Sequence, residues 1–342
     1  MPELDPNSAA LFDGLFGLPF TPEESRVLVI PVPWEATCSY RAGTAGGPAA
    51  VLEASRQVDL LDRDTGRPYE AKIAMLPIPG ELRALSDQAR RRALPIIEAG
   101  GAGDDPGRKQ ALTEVEDLCQ RMNLWVHDTV RQALEAGQLP AVLGGDHSVS
   151  LGAVAAVAEQ HPELGVLHLD AHADLRSAYE GFRFSHASIM RNVVEENPKV
   201  ARLVQVGIRD YCDAEDAFIR ANPERIRSYF DSDLRHLLFE GDSWGRMVGR
   251  VVADLPSQVY VSFDIDGLDP SLCPHTGTPV PGGLSFPEAV ALLRGLVESG
   301  RRIVGFDLTE VAPDPTGQSD WDANVGARLL YKMIGFALLC NR

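Results

Sequence analysis

The stretch LGVLHLDAHADLR, residues 164–176, passes from an apolar run, Leu164 to Leu169, directly into Asp170, His172 and Asp174 at alternate positions. A short run of this kind, rich in branched residues and bounded by polar ones, reads as a buried strand. Similar runs recur at Val27 to Val32, Ala141 to Leu143, Leu203 to Val206, Val259 to Phe263 and Ile303 to Leu308. Helically spaced segments lie between them, such as Leu112 to Gly137 and Pro287 to Ser299. Short buried strands alternating with helices predict an α/β fold whose central parallel sheet is covered on both faces. Ligands of such sheets bind beyond the carboxyl ends of the strands.

Four strand ends carry polar groups at that edge. Gly144-Gly145-Asp146-His147-Ser148 follows one strand, and Asp170 to Asp174 follows the next. Asp264-Ile265-Asp266-Gly267 and Thr309-Glu310-Val311 follow the other two. In an extended segment, positions i, i+2 and i+4 share a face, so Asp170, His172 and Asp174 are expected to reach one cavity together, and Asp264 with Asp266 likewise. With His147 they make four carboxylates and two imidazoles without a thiolate. Burying such a set without cations would be prohibitive. Oxygen-rich ligands with a minority of nitrogen suit Mn(II), and less selectively Fe, Co, Ni or Zn. Six ligands exceed what one catalytic ion with an open position needs, and they suit two divalent ions sharing a water.

Asp146 reads as a hydrogen-bond anchor of its loop as readily as a functional group. His127, His161 and His236 read as surface or packing residues. His168 reads as a satisfied core histidine on the face opposite Asp170.

The chain has 342 residues, 44% hydrophobic and 24% charged, which is enough to bury a substantial core as a single domain over residues 1–342. Residues 1–26 read as an N-terminal extension lying on the core, and about 98–108, EAGGAGDDPGR, as a flexible surface loop. A net charge of -17 argues against nucleic acid or an anionic membrane as partner and mildly favours a cationic small molecule. Five dispersed cysteines suggest neither a disulfide framework nor a thiolate zinc site. Acidic residues near the N-terminus and no apolar run approaching roughly 20 residues lead to the expectation of a cytoplasmic protein.

GGDHS at 144–148, DAHADLR at 170–176, SFDIDGLDPS at 262–271 and Glu310 together resemble the ureohydrolase family of arginases and agmatinases, over about residues 27–340. The resemblance implies a three-layer α/β/α arginase-like fold, a binuclear manganese centre and a homo-oligomer, trimer or hexamer. It implies one ion held by His147, Asp170, Asp174 and Asp264, and a second by Asp170, His172, Asp264 and Asp266. Asp266, Glu310 and His186 would be catalytic, with Glu310 pairing with a substrate guanidinium and His186 shuttling protons. The implied reaction is attack of a metal-activated hydroxide on the guanidinium carbon, yielding urea and an amine.

Arg176 stands where arginases have an asparagine, and the segments around YEG (179–181), SHASIMR (185–191), SYRAGT (39–44) and TGTPVPGG (276–283) are similar to agmatinases. Agmatine is therefore the lead substrate. Trp34-Glu35, Pro274-His275 and Trp321 to Asn324 depart from the agmatinase pattern and resemble nickel-dependent guanidine hydrolases, making guanidine with Ni(II) the alternative. Trp34 and His275 are thus candidate substrate contacts that either close the pocket or pack under a loop. Formiminoglutamase also carries an arginine after its motif, so Arg176 facing the pocket would favour an acidic guanidino compound, whereas Arg176 paired with an acid would be silent. A catalytically silent scaffold relative would have lost a ligand or Glu310, and neither is lost.

Overall fold

The structure, a computed structural model, describes residues 4–341. Eight strands form one sheet: β1 (Val27–Val32), β2 (Ile73–Met75), β3 (Leu139–Gly144), β4 (Leu164–Leu169), β5 (Val200–Ile208), β6 (Ile226–Phe230), β7 (Gln258–Asp264) and β8 (Arg302–Thr309). Ten helices connect them: α1 (Gly47–Ser55), α2 (Gly80–Ile97), α3 (Pro106–Glu135), α4 (Ser150–Gln160), α5 (Ile189–Glu196), α6 (Asp213–Ala221), α7 (Asp231–Phe239), α8 (Trp244–Ala253), α9 (Phe286–Glu298) and α10 (Trp321–Cys340). All strand pairs are parallel, in the order β2-β1-β3-β8-β7-β4-β5-β6.

Alternate residues of the central strands feed two apolar cores, giving three layers. Val27 and Val29 of β1 pack with α1, α8, α9 and α10 on one side. Leu28, Ile30 and Val32 pack with α2, α3, α4 and α5 on the other. Burial on both faces is why these strands are legible as apolar runs. The edge strands β2 and β6 are not: β2 has three residues, and β6 buries only Ile226 of IRSYF.

The order of the strands places the site. β3, β8, β7 and β4 are consecutive neighbours, so the four polar strand ends lie side by side at one edge of the sheet. Gly145 enables the closest approach there, because a Cβ would overlap the Trp34 carbonyl that accepts from the Asp146 amide.

Several expectations change. The loop after α2 spans 98–105 and not 98–108, because Asp105 caps α3 by accepting from the Arg108 amide at 2.8 Å and Pro106 starts the helix with its φ already set. α10 is by length and composition apolar enough to cross a membrane, yet it carries Asp322, Arg328 and Lys332, and 72% of its most apolar window is buried, against β8, α1 and α9. Of the N-terminal segment, the turn at Leu15 to Leu18 reaches the core, while residues 5–11 are exposed. Leu15, Phe16 and Leu18 are buried, the Phe16 amide donates to Ser55 Oγ at 2.8 Å, and its ring meets Tyr331 edge-on at 4.7 Å.

Phe16 fills space between α1 and α10, so Phe16→Ala is expected to lower the free energy of unfolding by about 3 kcal/mol in urea titration. A loss below about 1 kcal/mol would show that the extension is not part of the core.

Candidate metal centre

The expected ligands gather, though not by extended geometry. β4 ends at Leu169, and Asp174 adopts a left-handed backbone with φ 54°. Asp264 closes β7, Ile265–Gly267 form a single 3-10 turn, and Asp264 Oδ1 caps that turn by accepting from the Asp266 amide at 2.8 Å. Turns, not pleats, aim these carboxylates. Glu310 is also left-handed, at φ 62°. Strain at two site residues is characteristic of positions fixed by their surroundings for function.

His147 Nδ1 lies 3.0 Å from Asp170 Oδ2, 3.1 Å from Asp174 Oδ2 and 3.5 Å from Asp264 Oδ2. Its Nε2 is 2.9 Å from Ser262 Oγ, whose single proton goes to Asp307 at 2.9 Å. The hydroxyl must therefore accept from Nε2–H, which leaves the Nδ1 lone pair facing three carboxylates. Only a proton or a cation satisfies that arrangement. His172 Nδ1 lies 3.1 Å from Asp266 Oδ2 and 3.4 Å from Asp170 Oδ1, and its Nε2 is 4.0 Å from Asp210. Asp266 Oδ1 accepts from the Ala171 amide at 3.0 Å, but Oδ2 is buried with no hydrogen-bond partner. An orphaned carboxylate oxygen beside an imidazole nitrogen is an unfilled ligand position. Two groupings thus form, His147 with His168 and Asp174, and His172 with Asp266, with Asp170 in both and Asp264 beside His147. This donor set fits two divalent cations.

In the metal-free chain, protons take their place. Burial raises Asp174 to about 6, helped by Asp170, and burial with Asp266, Asp170 and Glu310 holds Asp264 well above the usual carboxylate range. Burial opposes charging His147 and His172, but the surrounding carboxylates outweigh it and both lie well above an ordinary imidazole. Burial likewise opposes ionising Asp170, yet His168, His147 and His172 outweigh it and hold it low.

Of the other expected site residues, His186 and Arg176 line a cavity of about 140 Å³ together with His172, Asp174, Tyr179, Asp210 and Glu215. His186 is held neutral: burial, then His172 and His147, lower it to about 3. Glu310 is buried outside this lining; its Oε1 accepts from the His147 amide at 3.0 Å. Burial and Asp146 raise its pKa well above the ordinary value.

Trp34 and His275 do not line the cavity. Trp34 is fully buried in the core beside α2 and α3, and its carbonyl carries the Asp146 turn. His275 is tied to Asp322, by Nδ1 at 2.8 Å and by its own amide at 2.8 Å. Asp146 is an anchor, accepting from the Ser148 amide and hydroxyl. His168 lies beside Asp170, not on the opposite face: its Nε2 is 2.8 Å from Asp170 Oδ2.

Asp210 and Glu215 were missed. They follow β5, and the strand-end rule that found the ligands applies to β5 as well. Cys38 was missed too. It adjoins Asp146 and His186, and burial, then Asp146 and Glu310, keep its thiol well above its usual pKa, unsuited to act as a nucleophile.

Residues 25–335 match the model of the arginase family. The chain belongs to the arginase family. This arginase-family chain is a metal-dependent amidinohydrolase. It is 32% identical over 315 residues to the N(1)-aminopropylagmatine ureohydrolase of Thermus thermophilus, covering 92% of this chain and 90% of that one. It is 34% identical over 320 residues to the proclavaminate amidinohydrolase of Streptomyces clavuligerus, covering 91% and 89%. The solved structure of a proclavaminate amidinohydrolase from Streptomyces clavuligerus is similar to this arginase-family fold with a TM-score of 0.73 at 27% identity, over 97% of this chain and 99% of that one.

Raised pKa values mean that the folded, metal-free chain holds protons the unfolded chain would release. Asp174, Asp264, His147 and His172 therefore contribute stability at low pH that is lost as pH rises through their folded pKa values, for Asp174 between about 4 and 6. Asp170, lowered, loses its contribution only as pH falls below the ordinary carboxylate range. His186, lowered to about 3, works in the opposite sense below pH 6.5, so the Tm of metal-free protein is expected to fall from pH 6.5 to pH 8, while saturating Mn(II) removes the fall and raises Tm more at the higher pH, as calorimetry would read. A metal-free Tm that is flat or rising over that interval would contradict the site's electrostatics.

Proposed function

We propose that the chain hydrolyses the guanidino group of a small amine, agmatine in the first instance, to urea and the freed amine. The observation that carries this reading is the buried ligand cluster opening on an acidic cavity, with Glu310 beside it. Two carboxylates outside the expected ligand set, Asp210 and Glu215, face that cavity against one cation outside it, Arg176. Arg176 is itself partly compensated, with Nε 3.7 Å from Glu215 Oε2 and its guanidinium 5.0 Å from the Tyr179 ring centre. Such a lining favours a substrate with a cationic end group over one ending in a carboxylate.

Because Trp34 and His275 pack elsewhere, the bulk expected to close the pocket around tailless guanidine is not at the cavity. That observation supports agmatine over guanidine.

When bound, two divalent cations supply an acidified water and offset the carboxylate charge. The ligand carboxylates and imidazoles hold that charge in place. Glu310, oriented through Oε1 by the His147 amide, presents Oε2 to the N–H groups of a planar cation. Gly277 leaves that face open; a Cβ there would lie 3.1 Å from Oε2. As water adds to the guanidinium carbon and the carbon–nitrogen bond breaks, one proton must pass to the departing amine. Neutral His186 takes it at Nε2, the nitrogen not turned to Ser185, and delivers it to the leaving nitrogen.

A second reading, a substrate with an acidic tail, is favoured by one observation, that Arg176 faces the cavity. Urea release by Mn(II)- and Ni(II)-loaded protein, measured with agmatine, arginine, 4-guanidinobutyrate and guanidine, separates the readings. Agmatine is expected to be preferred by tenfold or more in kcat/KM, about 1.4 kcal/mol, and Arg176→Ala is expected to retain activity on it. Preference for 4-guanidinobutyrate that collapses in Arg176→Ala would replace this reading with the acidic one, and preference for guanidine would overturn both.

A further inference from the structure

Five polar side chains stand in one register row across the sheet, one pleat repeat before β4 ends. Asp307 of β8 pairs with Ser262 of β7, Ser262 with His168 of β4, His168 with Gln205 of β5, and Gln205 with Ser228 of β6. Register partners in a sheet carry their side chains on the same face, here the one covered by α2 to α5. All but Ser228 are fully buried. Polar groups in such a place are costly unless each is satisfied, and satisfied rows specify one arrangement. The Asp307–Ser262 limb fixes the His147 tautomer. The other limb ends on Asp170.

Its proton order can be read from its far end. The Ala173 carbonyl can only accept, so the Gln205 group 2.7 Å from it is the NH2. Gln205 Oε1 then faces β6 and accepts from Ser228 Oγ at 2.8 Å. The second amide proton points to His168 Nδ1 at 3.0 Å, which must accept it. The His168 proton therefore sits on Nε2 and is donated to Asp170 Oδ2 at 2.8 Å. A His168 proton on Nδ1 would set donor against donor.

We infer that His168, locked by Gln205 and Ser228, is a positioning residue: its Nε2–H fixes the orientation of the Asp170 carboxylate toward the divalent metal site, so that the pairing of β4, β5 and β6 sets metal affinity. This rests on the reading of Asp170 as a ligand shared by both groupings. His168 stands close enough to His147, Asp170 and Asp174 to share their grouping, but its Nε2–H is committed to Asp170 and its Nδ1 to Gln205, so it acts through Asp170. Outer hydrogen bonds of this type typically carry a 10- to 100-fold share of metal affinity.

The test is calorimetric titration of the metal-stripped full chain with Mn(II), with its thermal midpoint recorded alongside. His168→Phe keeps the ring but loses the donor, and is expected to weaken binding about 10- to 100-fold. His168→Gln can place an amide N–H near the former Nε2 and is expected to stay within about threefold of the wild type. Gln205→Met frees the ring and is expected to weaken binding, with no further loss in the His168→Phe background, because it acts through the same hydrogen bond. Wild-type affinity in His168→Phe, or equal losses in His168→Phe and His168→Gln, would overturn the positioning role. If His168→Phe fails to fold, unchanged affinity in Gln205→Met alone overturns it. Wild-type protein that takes up no Mn(II) would overturn the metal reading as well, which separates the two failures.

Discussion

Unbalanced negative charge out of reach of water is the constraint on which this structure turns. Asp170, Asp174, Asp264, Asp266 and Glu310 are all buried, within a few residues of the same sheet edge. No salt bridge to lysine or arginine is made by any of the five among the described residues; the ionic partners of the four aspartates are imidazoles. Each isolated buried carboxylate would cost several kcal/mol, so the cluster is tolerable only with protons or cations in it. At neutral pH cations would let the carboxylates stay ionised, and the proposed guanidinium substrate would meet the same negative charge.

The fold serves that constraint at several levels. Parallel pairing with β3, β8, β7 and β4 adjacent brings four sequence-distant segments to one edge. Turns after β4 and β7 then rotate the carboxylates inward, at the expense of a left-handed Asp174 and an unpaired Asp266 Oδ2. Polar residues inside the sheet hold the candidate ligands from behind: Ser262 and Asp307 on His147, His168 and Gln205 on Asp170. Stability is spent here on geometry, as is usual where a protein binds metal and substrate in one cavity.

Much of this was legible in the sequence, and the limits have physical causes. Val27–Val32 and Leu164–Leu169 were read to the residue because strands buried on both faces are continuous apolar runs. Ile73–Met75 and Ile226–Phe230 escaped because edge strands are short or half polar. The six candidate ligands were picked out by residue type, as acids and histidines directly after apolar strands. How they are aimed was not, because periodicity says nothing of a left-handed residue or a 3-10 turn. Trp34 and His275 were misplaced because closeness to a motif does not tell which way a side chain turns, and a buried tryptophan finds the core first. Gln205 and Glu215 were invisible because their partners, His168 and Leu175, lie 37 and 40 residues away, and register between such segments is a tertiary fact.

The central claim is that this cluster holds two cations. Anomalous diffraction from a crystal of the protein grown with Mn(II), recorded at the manganese edge, tests it most directly. The account predicts two peaks about 3.5–4 Å apart, one beside His147 and Asp174 and the other beside His172 and Asp266, with Asp170 reaching both. A single peak, or none at these residues, would contradict it.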